Sequence, residues 1–519
     1  MELRKICSIM MLCAVAVSAI AVPARRDGML RTAADGTEKM VYQHGNELFH
    51  YLTDAEGYWL DEETLMPMSN VRKAAREQAG KARVQARRAK EETGTDRLLA
   101  PRGAVILVSY PDKAFSQSNK DMTEWAMGEK YTYNGATGSI HRYFMDQSWG
   151  QYDMQIDVYG PVTVSKEASY YGSNDSWSGN DKHPDELVKE ACQLADNECG
   201  ADFSQYDSNN DGNVDWVVIL YAGKGEADGG SKETIWPHQY DLSYTGMSFK
   251  LDGKWVDHYC CLNEIDGSSG KRCGIGTFCH EFSHVMGLPD FYATTEGSTH
   301  RTLGSWDIMD YGPYNNDGNT PPSYSAYERW FMGWIEPTLL NTAATVTLAN
   351  LNHEGGRACY ITENGSAISN ILRPSPSTFY MLENRQKSGW DQYIKGSGLM
   401  ITKVQWSQYK WEYNEVNNDA YSMGVDIIEA KKNTSSYIDK TTDLYPRGAT
   451  SFTQVNDYQV TDIAMADSII TFNVNGGGSE INLAIPKVTE QGQSIKILRD
   501  GKLFIIRNGV TYDITGRRL

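Results

Sequence analysis

The sequence predicts an α+β domain followed by a mostly antiparallel, β-sandwich-like domain, and three observations predict it. The continuous apolar runs "AVILVSY" from Ala104 and "VDWVVILYAG" from Val214 have the composition of buried strands. Between them "HPDELVKEACQLA" carries helical periodicity with an acidic start, and the stretch around His280 reads as the next helix. From Thr345 onward, "TVTLANL", "TFYMLENR", "GLMITKVQW" and "SIITFNV" read as strands of an antiparallel β domain. At 519 residues the chain is too long for one compact core, so several folded units are expected.

The chain opens with "MELRKICSIMMLCAVAVSAIAVPARRDG", a basic start, an apolar run and small residues at Ala19 and Ala24 suited to signal peptidase. Residues 1–24 are therefore assigned to an export signal, and the apolar run falls short of the roughly 20 residues that span a bilayer. No later segment is apolar enough to span, so the mature chain is expected to be secreted or held at the cell surface.

Residues 25–100 form the next unit, a propeptide. Its first part, "GTEKMVYQHGNELFHYLTDAEGYWLDE", has aromatic and apolar residues between Gly and Asp turn signals, consistent with short strands. Its second part holds eight basic residues between Arg72 and Lys90, is rich in Ala, and reads as an exposed helix or linker with a protease-sensitive joint. The catalytic unit is placed at 101–340 and the β-rich unit at 341–475. A glycine run, Gly476 to Gly478, then marks a linker into a tail, 476–519, with three short strands around turns at Asp500-Gly501 and Asn508-Gly509.

The whole chain carries 49 basic and 67 acidic residues, a net charge of -18. Beyond residue 100 the balance is 34 basic to 53 acidic, which argues against nucleic acid as a partner. Of nine cysteines two, Cys7 and Cys13, lie in the leader; the remaining odd number leaves at least one thiol outside any intramolecular pairing. Cys192 and Cys199 could bond only if their helix ended near Asn197, since on one unbroken helix their Cα atoms stand roughly 10 Å apart.

The chemistry concentrates in "FCHEFSHVMGLPDFY", Phe278 to Tyr292. His280 and His284, four apart on a helix, point their imidazoles at one ion, and Glu281 can reach a water held there. A catalytic zinc takes three protein ligands and keeps one open position. Gly287 is suited to end the helix in a left-handed conformation, and Pro289 keeps Leu288 out of the helical region. Asp290, six residues past His284, is thereby delivered as the third ligand.

HEFSHVMGLPD resembles the HExxHxxGxxD motif of the immune inhibitor A family, secreted metzincin-like zinc metalloproteases whose third ligand is Asp. The likeness extends to "GNELFHYLTDAEGYW", "GSIHRYFMDQSWGQYD", "DSNNDGNVDWVVILYAGKGEADGG", "IWPH" and "YMLENRQKSGWDQYIKGSGLMI". It implies a metzincin-like fold for the catalytic unit and a zymogen that hydrolyses peptide bonds of extracellular proteins. It also implies zinc on His280, His284 and Asp290, and Glu281 as the general base that returns its proton to the leaving amine. In "LGSWDIMDYG" Met309, 19 residues after Asp290, matches the methionine of the turn beneath the zinc, and Tyr311 matches a tyrosine that in some metzincins swings to the oxyanion. The chain departs from the commoner family forms at Ser283, Val285 and Ala293, where Gly, Asp and Asp are usual.

A second cation is expected at "DSNNDGNVD". Asp207, Asn209, Asp211 and Asp215 place oxygens around a turn at Gly212 in a calcium-loop pattern, although Val218 stands where an EF-hand carries Glu. Glu226 and Asp228 either complete that site or face solvent. His238 in "IWPHQY" and Cys279 read as structural residues. Residues 25–100 contain no cysteine, so a thiol switch cannot hold the enzyme latent, which leaves an acidic or steric plug. The tail resembles the sorting tails of proteins exported by the type IX system, which implies secretion machinery as a partner. Two other readings stay open at this level: a surface-binding or adhesive protein that works through its β-rich domain, and a zinc enzyme acting on a non-peptide bond.

Overall fold

The computed structural model describes residues 22–74 and 102–484, apart from 34, 46–49, 63, 71, 176–179, 296–299, 353–355, 434–438 and 456, together with three strands between 495 and 513. The leader up to residue 21, the basic segment from residue 75 with its expected cleavage joint, and the turns at Asp500-Gly501 and Asn508-Gly509 lie outside the described residues.

The region 25–100 begins with four strands, β1 (Met29–Thr32), β2 (Glu38–Gly45), β3 (His50–Thr53) and β4 (Trp59–Leu60), paired antiparallel in that order. Val41, Leu52, Leu60 and Leu65 close a small core of their own. Ahead of β1, Val22 to Arg25 are buried. Val22–Ala24, assigned above to the leader, are thus folded into the body of the molecule.

The catalytic unit is built on β5 (Arg102–Ser109), β6 (Gln155–Thr163), β7 (Val217–Lys224), β8 (His238–Asp241) and β11 (His258–Ile265), with a small hairpin of β9 (Phe249–Leu251) and β10 (Lys254–Val256) beside them. The sheet order is β6-β5-β7-β11-β8. Its first four strands run parallel and β8 closes the edge antiparallel. Strands β5 and β7 are covered on both faces, which explains why they read as unbroken apolar runs. The helix Pro184–Cys199 starts with Pro in its first turn, carries Asp185 and Glu186 there, and ends at Gly200 with φ +71. It stays unbroken through Cys199, so Cys192 and Cys199 cannot meet, and the seven cysteines of the described chain are all free.

The C-terminal region adds β12 (Thr338–Leu339), β13 (Ala344–Leu348), β14 (Cys359–Thr362), β15 (Thr378–Arg385), β16 (Gly398–Gln405), β17 (Val425–Ile427), β18 (Val460–Ala466), β19 (Ile469–Val474) and β20 (Ser479–Leu483). They form sheets of order β12-β14-β15-β16-β17 and β18-β19-β13-β20, antiparallel except at β12–β14 and β13–β20. Val346, Phe472, Ile361, Leu382 and Ile401 share one core between the two sheets. The opposite face of the first sheet, through Phe379, Met381, Met400 and Val404, belongs to the catalytic core. The β-rich region is therefore welded to the catalytic unit. The glycine run at 476 is a turn inside the second sheet: Gly476 and Gly477 take φ +82 and +89, and β20 then pairs with β13. The expected linker at that point is corrected accordingly, because positive φ serves a tight reversal here. Beyond it β21 (Ile495–Arg499), β22 (Lys502–Arg507) and β23 (Val510–Asp513) pair as an antiparallel trio.

Candidate metal centre

The helix Gly276–Val285 carries the motif. Phe278 and Phe282 stack on its inner face at 5.7 Å and meet Trp216 edge-on, so the helix is anchored by aromatic packing against the sheet. Its start lies against another backbone, since a Cβ on Gly276 would stand 2.0 Å from the Pro313 carbonyl oxygen. At its other end Gly287 adopts φ +94, its N–H bonds the His284 carbonyl, and Leu288 N–H bonds the Ser283 carbonyl. This reversal turns the chain back so that Asp290 faces the two histidines.

His280 Nε2 and His284 Nε2 stand 3.1 Å apart, and Asp290 Oδ1 is 3.2 Å from each. Among the described residues this is the one group of three His, Cys, Asp or Glu side chains close enough to share an ion. Each imidazole is fixed through its other nitrogen: His280 Nδ1 bonds the Ile308 carbonyl and His284 Nδ1 the Leu288 carbonyl, both at 2.7 Å. A carbonyl only accepts, so both Nδ1 atoms carry the proton and both Nε2 atoms present lone pairs. Burial lowers the pKa of His284, and burial also opposes the charge on Asp290, but the two imidazoles hold its carboxyl below the usual range. Two lone pairs and a carboxylate oxygen thus converge in a buried spot that favours a cation. The spacing fits zinc, since bonds of about 2.0–2.1 Å put tetrahedral ligand atoms roughly 3.3 Å apart.

Met309 is tied by its backbone to the segment that follows Asp290. It is fully buried, its carbonyl accepts from Phe291 N–H at 2.8 Å, and its own N–H donates to Asp307 Oδ1. The same turn thereby holds the chain next to Asp290 and, through Ile308, the ring of His280. Tyr311 follows, with the Arg26 guanidinium 3.6 Å from the centre of its ring.

Sequence reasoning missed three contributions. The first is Asn414, which exchanges hydrogen bonds with Asp290 from the C-terminal region. Nothing distinguishes this residue in the sequence. The second is the buried Arg385, which bonds Asp391 through Nε and Nη2, reaches Glu383, and donates to the carbonyls of Trp306 and Ser323. The third is the N-terminal segment. Val22 N–H donates to Glu281 Oε1 at 2.8 Å, Trp236 Nε1 donates to the Val22 carbonyl, and the Tyr314 hydroxyl donates to the Pro23 carbonyl. Val22 and Ala24 pack with Ala227 and Trp236.

Other expected residues lie elsewhere. In the loop at 207, Asp207 accepts from Asp211 and Gly212 N–H and pairs with the Lys254 ammonium; Asp211 accepts from Asn213, and Asp215 from Ser208. Its oxygens are spent on turn hydrogen bonds and one ammonium. Glu226 and Asp228 do not join this loop: Glu226 pairs with His50, and Asp228 with Arg25. His238 bonds the Trp236 carbonyl and Tyr259, in a structural role. Ser283 donates to the Cys279 carbonyl and bonds the Tyr324 hydroxyl, so its side chain faces the core and not the ligands.

Residues 109–334 match the model of the immune inhibitor A peptidase M6 catalytic domain. That stretch spans the motif helix, the turn at Met309 and strands β6, β7, β8 and β11 of the sheet, while all of β5 but Ser109 precedes it. Over this stretch the chain is similar to the catalytic domain of the immune inhibitor A metallopeptidases. The match to the immune inhibitor A domain ends short of the C-terminal sheets that support it. The chain is 30% identical over 256 residues to immune inhibitor A of Bacillus thuringiensis subsp. alesti, covering 44% of this chain and 36% of that protein. It is 27% identical over 283 residues to pre-pro-metalloprotease PrtV of Vibrio cholerae serotype O1, covering 46% of this chain and 30% of that protein. A putative secreted metallopeptidase of Arthroderma benhamiae is 23% identical over 207 residues. The aligned parts thus span about a third of these curated relatives. No helix among the described residues is long and apolar enough to cross a membrane.

Proposed function

We propose that this chain is a secreted zinc endopeptidase, made as a zymogen, that hydrolyses peptide bonds of extracellular proteins. The observation that carries the reading is the convergence of His280 Nε2, His284 Nε2 and Asp290 Oδ1 beside a buried glutamate. His280, His284 and Asp290 would hold the zinc, which when bound acidifies a water and polarises the scissile carbonyl. Glu281 accepts the proton of the attacking water and passes it to the leaving amine. Met309 fixes the floor of the site, and Tyr311 is proposed to reach the oxyanion once Arg26 has left its ring.

Latency follows from the N-terminal segment. With Val22 N–H on Glu281 and Val22 to Arg25 buried, the base is engaged and the cleft is filled, the steric plug that the lack of a propeptide cysteine requires. Ala19 and Ala21 supply the spaced small residues that signal peptidase reads. A cut after Ala21, in place of Ala24, would leave the plug whole and convert the Val22 nitrogen to an ammonium paired with Glu281. Activation then needs a cut in the basic segment between Arg72 and Lys90 and release of the plug. Calcium at Asp207, Asn209, Asp211 and Asp215 is proposed as a lesser site, in which the ion must displace Lys254. Delivery by the type IX machinery through residues 476–519 is likewise proposed.

The test pairs zinc content with casein hydrolysis for full-length protein before and after limited trypsin cleavage, for wild type and Glu281→Gln. Both should bind one zinc, and only cleaved wild type should digest casein, with a chelator abolishing it. Zinc bound without hydrolysis of any protein or peptide would sink the endopeptidase reading.

A further inference from the structure

Arg25 is nearly inaccessible, yet it is a charged residue of a segment that must leave. Its Nη1 lies 2.6 Å from Asp266 and 3.4 Å from Asp228, and its Nη2 lies 2.8 Å from Asp317. Its Nε meets Asp27 of its own segment at 3.2 Å, and its guanidinium carbon stands 5.6 Å from the centre of the Tyr314 ring. Asp228, Asp266, Asp317 and Tyr314 all belong to the catalytic unit, so four walls of this pocket remain when the propeptide departs. The two buried carboxylates are fixed by backbone: Gly267 N–H donates to Asp228 at 2.7 Å and Ser269 N–H to Asp266 at 2.6 Å. Buried carboxylates held side by side are costly without a cation between them.

The pocket also has an address relative to the chemistry. Val22 nitrogen sits on Glu281, where the nitrogen of a departing amine would receive its proton. From there the chain runs through Pro23 and Ala24 to Arg25, whose N–H donates to the Ala227 carbonyl. The segment is therefore laid out like the amine-side half of a cleaved peptide, with Arg25 as its fourth residue.

We infer that Asp228, Asp266 and Asp317 form a specificity subsite for a guanidinium or ammonium group on the fourth residue beyond the scissile bond, blocked by Arg25 in the zymogen. The inference rests on the endopeptidase reading above. An arginine or lysine of the substrate takes the place that Arg25 vacates, and the bidentate reach of a guanidinium favours arginine.

The test uses full-length protein activated by limited trypsin cleavage, freed of trypsin, and incubated with a mixed peptide library, with identically treated Glu281→Gln protein as the control for trypsin carry-over. Cut sites are mapped by mass spectrometry. Arginine and lysine should be enriched at least threefold at the fourth position after the cut, and the enrichment should collapse in Asp266→Asn. A synthetic peptide of residues 22–30 should inhibit the activated enzyme, and its Arg25→Ala form at least tenfold less. Cuts that show no basic preference there, with equal inhibition by both peptides, would overturn the subsite while leaving the peptidase reading intact. Absence of any cut would bring down both. Tight calcium binding lost in Asp266→Asn, with equal inhibition by the two peptides, would reassign the pocket to a metal ion and overturn the subsite as well.

Discussion

Asn414 and Asp290 face each other across 124 residues of sequence and exchange two hydrogen bonds, each 2.7 Å long. The amide nitrogen of Asn414 holds Asp290 Oδ2, which leaves Oδ1 turned toward the histidines. Partners of this kind orient a ligand and tune its basicity. Asn414→Ala should weaken zinc binding about 10–100-fold with the fold intact. Competition against a chromophoric chelator measures it, and unchanged affinity would remove Asn414 from the site.

Replacing Glu281 by Gln separates binding from chemistry. Zinc content should hold, while kcat/KM on a quenched peptide falls by at least about 10²-fold, the range expected for loss of general-base work. A variant that keeps a tenth of the activity would assign the base elsewhere.

Arg385 tests the support from the C-terminal sheet. Its guanidinium neutralises buried Asp391 and Glu383 while tying β15 to the loops that carry Trp306 and Ser323. Arg385→Met should cost about 3–5 kcal/mol, because it strands buried carboxylates. A drop in urea midpoint with an unchanged slope would report it, and a loss under 1 kcal/mol would show the network to be dispensable.

The Arg25 pocket should respond to pH. Burial, with Asp266 alongside, pushes the Asp228 carboxyl up to about 8, and the Arg25 guanidinium pulls the other way. Asp228 therefore holds its proton more tightly when the pocket is empty than when a cation fills it. Filling the pocket releases protons, so binding of the 22–30 peptide, N-acetylated so that its terminus does not titrate, should tighten as pH rises from 7 toward 9. The facing groups are Asp27, Asp266, Asp317 and Tyr314, and none of them reverses that sign: three are acidic and Tyr314 is pushed up by burial. An inhibition constant flat across that range would contradict the assignment.

The motif was legible because its geometry is local. Two histidines one helical turn apart, a glycine forced to φ +94 and a proline after it fix Asp290 within a dozen residues. The sheet strands were legible because burial on both faces leaves unbroken apolar runs. What lies far apart in sequence was not legible. No pattern couples Asn414 to Asp290, or Val22 to Glu281, since hydrogen bonds across such separations leave no periodicity. The calcium pattern at 207 reads identically whether a cation or Lys254 neutralises Asp207, and only the fold brings β10 close enough to decide. The glycine run at 476 shows the same limit: composition alone does not distinguish a linker from a reversal inside a sheet.

The Asn414 contact also imposes a clock. At about 5–20 residues per second of synthesis, the stretch from Asp290 to Asn414 takes on the order of 10 s to appear. During that interval the histidines and the aspartate exist without the amide that steadies them. If the chain is the zymogen proposed above, a cell making it is protected twice, first because the cutting centre matures only late in translation, and then because residues 22–25 are already waiting to occupy it.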